Sequence, residues 1–463
     1  MVEVLPIETP SLGDRSYLVH DGSAAAVIDP QRDIDRVIAL AEREHVRITH
    51  VAETHIHNDY VSGGLALSRE TGAVYLVNAA DPVSFRREPV GDKDAVDVSP
   101  AFRLRALATP GHTFSHLSYV LEAGGKVSAV FTGGSLLYGS TGRPDLLGPA
   151  STGALARAQY ASAQRLASEL PESAEIFPTH GFGSFCAATQ AQAAASTIGR
   201  EKLLNPALTL SEQAYVDALL AGLDAYPAYY AHMGPANLAG PGGPDLAPPA
   251  PADPADIRRR IESGEWVVDL RDRVAFAAGF VPGSVSFPVD GSFASYLGWI
   301  LPWGTPVTLL GDTPQQVARA QRELVRIGID RPAAAASGTP QAWAGGRPLA
   351  SLRRATFGEL AAAADRDGAA GHMVVLDVRR QLEWDGGHLE NAIHIPFSEL
   401  PGRSGEIPPG EVWVHCQSGY RAIVAASILA ARGREVISID GDFAGAGAAG
   451  LPVTRPAART AGS

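Results

Sequence analysis

Two sets of residues in this chain have the types and spacing to do chemistry. The first is a thiol in a short loop. Residues 411–433, EVWVHCQSGYRAIVAASILAARG, read as strand, tight loop and helix, and the loop is Cys416, Gln417, Ser418, Gly419, Tyr420 and Arg421. A thiol at the base of such a loop faces several backbone N–H groups and the positive end of the following helix, and both favour the thiolate. The same N–H cradle stabilises the anionic outer sulfur of a Cys–S–S⁻ persulfide. Arg421 opens the helix and either adds charge or fixes the loop. A buried structural thiol would not call for the polar Ser–Gly–Tyr–Arg continuation.

The second set is histidines. In THIHNDYVSGG (54–64), His55 and His57 stand two apart just after an apolar run, with Asp59 two further on. In a turn this spacing aims both imidazoles at one ion, and a nearby carboxylate favours a cation. His112 in TPGHTFSH and His180 in FPTHGFGS follow other apolar runs. A lone buried histidine is usually a satisfied structural residue. Four of them plus Asp59, all at strand-to-loop junctions, point to metal.

The elements that must position these residues are legible as short runs. ITHVAET, FRLRALATP, KVSAVFTGG and AEIFPTHG are each apolar and end in small or polar turn residues, the mark of buried strands. Their ends can converge on one rim of a sheet, where ligand sites are usually built. The stretch PANLAGPGGPDLAPPAPADPAD (235–256) reads as a semi-rigid linker. Beyond it lies an internal repeat: VVDLRDRVAFAAGFVPGSVSFP (267–288) aligns without a gap to VLDVRRQLEWDGGHLENAIHIP (375–396) at an offset of 108. Asp269 matches Asp377, Arg271 matches Arg379, Gly279 matches Gly387 and Pro288 matches Pro396. In the earlier copy the loop after PVTLL reads GDTPQQ (311–316), so Gly311 stands where the cysteine belongs. Without a thiol there is no covalent sulfur carrier. The expected domains are 1–237, a linker at 238–252, an inactive copy at 253–346 and an active copy at 352–463.

The two constellations carry resemblances. THxHxDxxSGG, PGHTxxHxSY, FTGGSLL and PTHG, in that order, resemble the metallo-β-lactamase superfamily in its glyoxalase II and persulfide dioxygenase branch, over about residues 3–200. That resemblance implies an αββα sandwich with a metal on one edge. Persulfide dioxygenases use mononuclear iron to oxidise a thiol persulfide to sulfite; glyoxalase II hydrolyses thioesters at a dinuclear centre. This chain departs from the family twice. Tyr60 replaces a histidine ligand of the second metal, which disfavours a dinuclear centre, and Gly134 replaces the aspartate of the FTGD motif. The implied iron ligands are His55, His112 and that absent carboxylate. The chain could rebuild the site with Asp59, hold a metal with His55, His57 and His112, or have lost it. His180 completes the candidate metal ligands. One ion is expected, iron(II) favoured and zinc the alternative.

LDVRxxxEWxxGHLxxAxxIP, HCQSGYRA and AAGLPV resemble the rhodanese family over about 355–455. This implies a sulfurtransferase with Cys416 as nucleophile and persulfide carrier, and with Asp377, Arg379 and His388 holding the loop. The terminal GGFxAW is eroded here to GDFAGA. The whole chain is therefore expected to be an α/β protein: an αββα metallo-β-lactamase sandwich followed by two rhodanese-type α/β domains.

Bulk properties narrow the partners. With 463 residues and a net charge of −12, the chain is long enough for about three domains and unsuited to duplex nucleic acid. No segment reads as a signal peptide or a membrane span. Cys186 and Cys416 are the only cysteines, so a structural disulfide is not expected and the cytoplasm is. Cys186 reads as a small buried residue, and Tyr229, Tyr230 and Met233 pack the first domain's end or line a substrate channel. The expected partners are a low-molecular-weight thiol persulfide and thiosulfate or sulfite, without nucleic acid or membrane; a homo-oligomer stays open. The expected function is a sulfide-detoxifying sulfurtransferase coupled to persulfide oxidation. Three rivals stand beside it: a sulfurtransferase with an inert scaffold, a zinc-dependent thioester hydrolase, and a non-enzymatic persulfide sensor or relay.

Overall fold

The computed structural model of the chain describes residues 2–189, 194–367 and 373–454. It divides into two compact units, Met1–Asp245 with Arg322–Asp330, and Leu246–Gln321 with Arg331–Ser463. Among the described residues no helix is long and apolar enough to cross a membrane.

The first unit is an αββα sandwich. Its six-stranded sheet runs in chain order, Glu3–Thr9, Asp14–His20, Ala24–Ile28, Arg47–Ala52, Val74–Asn78 and Glu88–Val90. The five-stranded sheet has the order Glu175–Pro178, Lys126–Gly133, Leu117–Ala123, Phe102–Ala108, Ala95–Ser99. Alternate residues of each strand face the partner sheet. Tyr17, Val19, Ile28 and Leu76 of one sheet meet Leu104, Tyr119, Leu121 and Phe131 of the other in a single buried cluster. The outer face of the first sheet buries Val37, Leu40 and Ala41 of helix Asp35–Arg43. The outer face of the second buries Ala156, Ala163 and Leu166 of helix Pro149–Glu169. The four expected strands are present, but their ends belong to two sheets rather than to one rim. His55 follows a strand of the first sheet, and His112 and His180 follow strands of the second.

One carboxylate joins those ends. Asp29, fully buried, sits at φ +51°, a left-handed conformation that costs a non-glycine residue on the order of 1 kcal/mol. Its carboxylate accepts from the Thr54 N–H (2.6 Å) and hydroxyl (2.7 Å) on its own sheet, and from the Thr179 hydroxyl on the other. Tyr17 repeats the bridge, its hydroxyl donating to the Pro178 carbonyl at 2.6 Å.

In the second unit the expected repeat is visible in hydrogen bonds. A parallel sheet of order Val285–Ser286, Trp266–Asp269, Val307–Gly311, Ala334–Ser337 precedes a second of order Arg353–Ala355, Val436–Ile439, Glu411–His415, Met373–Asp377, Ile393–His394. Arg271 forks onto Asp269 and donates to the Gly279 carbonyl; Arg379 forks onto Asp377 and donates to the Gly387 carbonyl. The Leu270 N–H meets the Leu310 carbonyl as the Val378 N–H meets that of His415, which sets Gly311 opposite Cys416. A Cβ on Gly311 would lie 3.1 Å from the Gln316 side chain. That side chain fills the empty loop, taking the Asp312 N–H at 2.7 Å and donating to the Leu270 carbonyl at 3.0 Å. Upstream, helix Tyr230–Ala239 carries regular structure into the first residues of the expected linker.

Asp29→Ala removes the acceptor for three buried donors and should destabilise the first unit by about 3–5 kcal/mol. Urea titration followed by intrinsic fluorescence measures this, with a loss below about 1 kcal/mol counting against the bridge.

Candidate functional site

His55, His112 and His180 are each at most 1% exposed, and their ring centroids lie 4.8, 5.5 and 5.1 Å apart pairwise. Each ring has its Nδ1 placed against an oxygen. His112 Nδ1–H donates to the Arg143 carbonyl at 2.8 Å, and His180 Nδ1–H to Asp14 at 3.0 Å. The Thr54 hydroxyl gives its proton to Asp29, which leaves its oxygen to accept from His55 Nδ1–H at 2.9 Å. In the neutral rings that pattern fixes the tautomers and puts the lone pair on Nε2. All three Nε2 atoms are buried without a hydrogen-bond partner, and one ligand atom from each residue lies within 4.8 Å of the others. Three orphaned lone pairs in one buried spot are a metal donor set.

His57 and Asp59 overlap this group through His180, the three offering ligand atoms within 4.8 Å of one another. Neither Asp59 oxygen accepts a hydrogen bond, although one pairs with His180 Nδ1 at 3.3 Å. His57 is turned the other way. Its Nε2 faces Glu53 at 3.1 Å, Asp29 at 3.3 Å and the Tyr60 hydroxyl at 3.0 Å. Burial opposes its charge, but Asp29 and Glu53 overcome that and lift its pKa to about 10. Burial likewise opposes charge on His180, and Asp59 and Asp14 lift it to about 9, so an ion at its Nε2 would have to displace that proton. His112, desolvated and beside His180, falls to about 3. All five expected ligands thus come together, in the sets His55–His112–His180 and His57–Asp59–His180. The combination of His55, His57 and His112 is not among them.

Gly134 has a steric reason. A Cβ there would lie 2.4 Å from the His112 ring, and one on Gly142 would lie 2.7 Å from its Nδ1. The His112 imidazole therefore occupies the space that an aspartate at 134 would need. Sequence reasoning missed Asp29, Glu53 and Asp14, which set the charge of the site. It also missed His116, which takes the Gly134 N–H at 2.9 Å and stacks on His55. Glu53 and Asp29 each end an apolar strand run, a signal that could have marked them.

Cys416 is 2% exposed. It ends strand Glu411–His415 and receives the Gly419 N–H at 3.1 Å, just before helix Tyr420–Ala431. Gly419 sits at φ +97°, and a Cβ there would lie 2.7 Å from Asp440, so the turn requires glycine. Gln417 accepts the Phe443 N–H at 2.9 Å, and Phe443 lies under the Arg379 guanidinium at 3.6 Å. The fork from Asp377 through Arg379 thus reaches the loop. His388 stacks on Trp384 at 3.7 Å, with its Nδ1 3.1 Å from the Trp384 carbonyl. Ser418 is exposed, and Tyr420 donates to the Pro288 carbonyl at 2.9 Å. Arg421 forks onto Glu383 at 2.6 and 2.7 Å, which makes it a loop anchor. Tyr296 of the earlier copy, absent from the sequence reading, lies 5.4 Å from Tyr420, ring to ring. Cys186 is fully buried and free, and burial pushes its thiol pKa up.

Burial raises the Glu383 carboxyl pKa, but the Arg421 and Arg380 guanidinium groups more than reverse this, to about 2. A depressed carboxyl pKa contributes stability above its unfolded value near 4.5, lost as pH falls toward 2. Glu383→Gln should therefore cost the second unit about 3 kcal/mol at pH 7 and flatten its stability between pH 4.5 and 2. Denaturant titrations across that window check the slope. In the first unit, Gly134→Asp should lower bound metal rather than raise it, as elemental analysis of purified protein would show.

Residues 14–180 match the Metallo-beta-lactamase superfamily, and residues 356–449 match the Rhodanese-like domain. The chain is similar to Persulfide dioxygenase ETHE1, mitochondrial, of Homo sapiens, 29% identical over 241 residues, 52% of this chain and 80% of that protein. It is similar to Hydroxyacylglutathione hydrolase cytoplasmic of Arabidopsis thaliana, 34% identical over 139 residues. That match covers 29% of this chain and spans only 54% of the plant protein. Among solved structures, Metallo-beta-lactamase from Staphylococcus aureus subsp. aureus COL is 28% identical with a TM-score of 0.65, covering 72% of this chain and 98% of that one.

Proposed function

We propose that this chain, a metallo-β-lactamase domain joined to a C-terminal rhodanese domain, is a sulfane-sulfur enzyme with two linked activities. The first domain oxidises a low-molecular-weight thiol persulfide to sulfite, and Cys416 exchanges sulfane sulfur with sulfite or thiosulfate. The observation that carries the reading is Cys416 Sγ under the Gly419 N–H at a helix start. The same chain holds three buried histidines with convergent, unpartnered Nε2 atoms.

In the oxidation, R–S–SH, O₂ and water give R–SH, sulfite and two protons; the outer sulfur is oxidised and oxygen is reduced. His55, His112 and His180 would hold the ion, with Asp59 beside them. Iron(II) is favoured, because when bound it supplies the activation of oxygen. Asp29 and Glu53 favour the cation of His57, and its Nδ1, which has no hydrogen-bond partner, would then donate to an anionic persulfide or to the sulfite formed. In the transfer, the sulfite lone pair attacks the outer sulfur of Cys416–S–S⁻. The S–S bond breaks with its electrons on Cys416, and thiosulfate leaves. The loop N–H groups bind whichever sulfur carries the charge. Joining the two activities in one chain raises the effective concentration of sulfite at the transferase. The earlier copy, with Gly311 for the cysteine, is structural. A reducing compartment such as the cytoplasm keeps Cys416 available.

A second reading rests on the donor set. Three imidazole nitrogens without a carboxylate also suit zinc and thioester hydrolysis, although Tyr60 disfavours a second ion. Elemental analysis of anaerobically purified protein, with oxygen uptake on a persulfide and hydrolysis of a glutathione thioester, separates the two.

Cys416→Ser should abolish thiosulfate:cyanide sulfur transfer, because serine carries no persulfide, while persulfide-dependent oxygen uptake persists. Transfer near the wild-type rate in that variant would overturn the assignment.

A further inference from the structure

Beside the histidine cluster lies a cavity of about 580 Å³. It reaches the cluster through Ile56, which separates His55 from His57, and Thr113, which follows His112. Its walls are mostly apolar, with Phe114, Leu147 and Tyr226 among them. Phe114 is 59% exposed at the mouth. Among the described lining residues, Asp81 is the one charged side chain, and no arginine or lysine lines the cavity.

Asp81 is 6% exposed. One of its oxygens takes the Ser115 hydroxyl at 2.5 Å, and the other has no hydrogen-bond partner. Arg87 acts on it electrostatically, but its guanidinium donates to the main-chain carbonyls of Ala79 and Asp81. The Thr113 hydroxyl in the same wall is also buried without a partner. An unsatisfied buried carboxylate oxygen is destabilising until a donor reaches it. Burial raises the Asp81 pKa, as expected for a carboxylate short of donors.

We propose that this cavity takes the organic half of the persulfide, and that the carrier is an uncharged, amide-bearing thiol that presents an N–H to Asp81. This rests on the persulfide reading of the neighbouring metal site. A carrier such as glutathione brings two carboxylates and one ammonium, a net anion, to a wall whose one charged lining residue is itself an anion. Like charges brought together in a desolvated site are repelled, so such a carrier is selected against. An amide carrier of similar size buries its chain against Phe114, Leu147 and Tyr226 and satisfies the orphaned oxygen.

The test uses two unreactive thioethers of similar size, S-methylpantetheine and S-methylglutathione, titrated calorimetrically into the full chain. S-methylpantetheine should bind at least about tenfold more tightly, and Asp81→Asn should narrow the gap to less than about threefold as the repulsion is removed. Equal or tighter binding of S-methylglutathione overturns the proposal. So does failure of both to bind, or a gap unchanged in Asp81→Asn. Oxygen uptake with the two corresponding persulfides, measured in parallel, separates this inference from the reading beneath it. Uptake that favours glutathione persulfide sinks the carrier assignment and leaves the oxidation standing. No uptake with either, alongside the expected binding gap, removes the oxidation and leaves the cavity's selectivity intact.

Discussion

The buried carboxylate of Asp29 holds the first unit's site together. It receives the Thr54 N–H and hydroxyl from the strand end that leads to His55, and the Thr179 hydroxyl from the one that leads to His180. It also lies 3.3 Å from His57 Nε2. One group therefore bridges two sheets, orients the Thr54 hydroxyl that fixes the His55 tautomer, and favours the charged form of His57. A charge so deeply buried is tolerable only when fully bonded. Asp29 meets that condition, and its pKa is lowered despite its burial. Its left-handed backbone turns the chain out of the strand at the point where the carboxylate must reach both sheets.

The second unit solves the corresponding problem with a fork rather than a bridge. Asp377 and Arg379 make a two-residue clamp at a strand end, and Arg379 extends through Phe443 to Gln417 of the thiol loop. The clamp recurs unchanged at Asp269 and Arg271, where the loop has lost its thiol and is filled by Gln316. The clamp is thus present both with and without a thiol in the loop it supports, as a contact of the fold rather than of the thiol. The earlier copy is still coupled to that loop within the unit. The Ser286 N–H bonds the Ser427 hydroxyl on the helix behind Cys416, and Tyr420 donates to Pro288.

Most of this architecture could be read from the residues, and for a physical reason. Strand-end histidines, a strand–loop–helix around one cysteine and a gapless repeat are local patterns, and local patterns survive in one dimension. What could not be read was long-range. The four strand ends come from two sheets because Tyr17, Leu104 and Phe131 pack face to face, and no single segment encodes that pairing. The role of Asp29 depends on Thr179, 150 positions away. His57 was expected beside an ion, but the contacts of its Nε2 with Glu53, Asp29 and Tyr60 were not legible, because only the fold brings those three to it. Arg421 could add charge or fix the loop on sequence grounds alone, and its fork onto Glu383 is a contact that only the fold supplies.

The loss of the aspartate at position 134 acquires a cause once the packing is known. The His112 ring lies against both Gly134 and Gly142, where any Cβ would collide with it. The two glycines therefore act as a pair that admits the ring, and a carboxylate cannot return while His112 stays where it is. The charge that carboxylate would have supplied is present one layer out. Asp14 and Asp59 both face His180, lifting its pKa to about 9. An ion held by the three histidines would thus be flanked by anions bonded to, or beside, its ligands rather than by one bound to it. Anions at that remove raise the basicity of the ligating imidazole without occupying a coordination position.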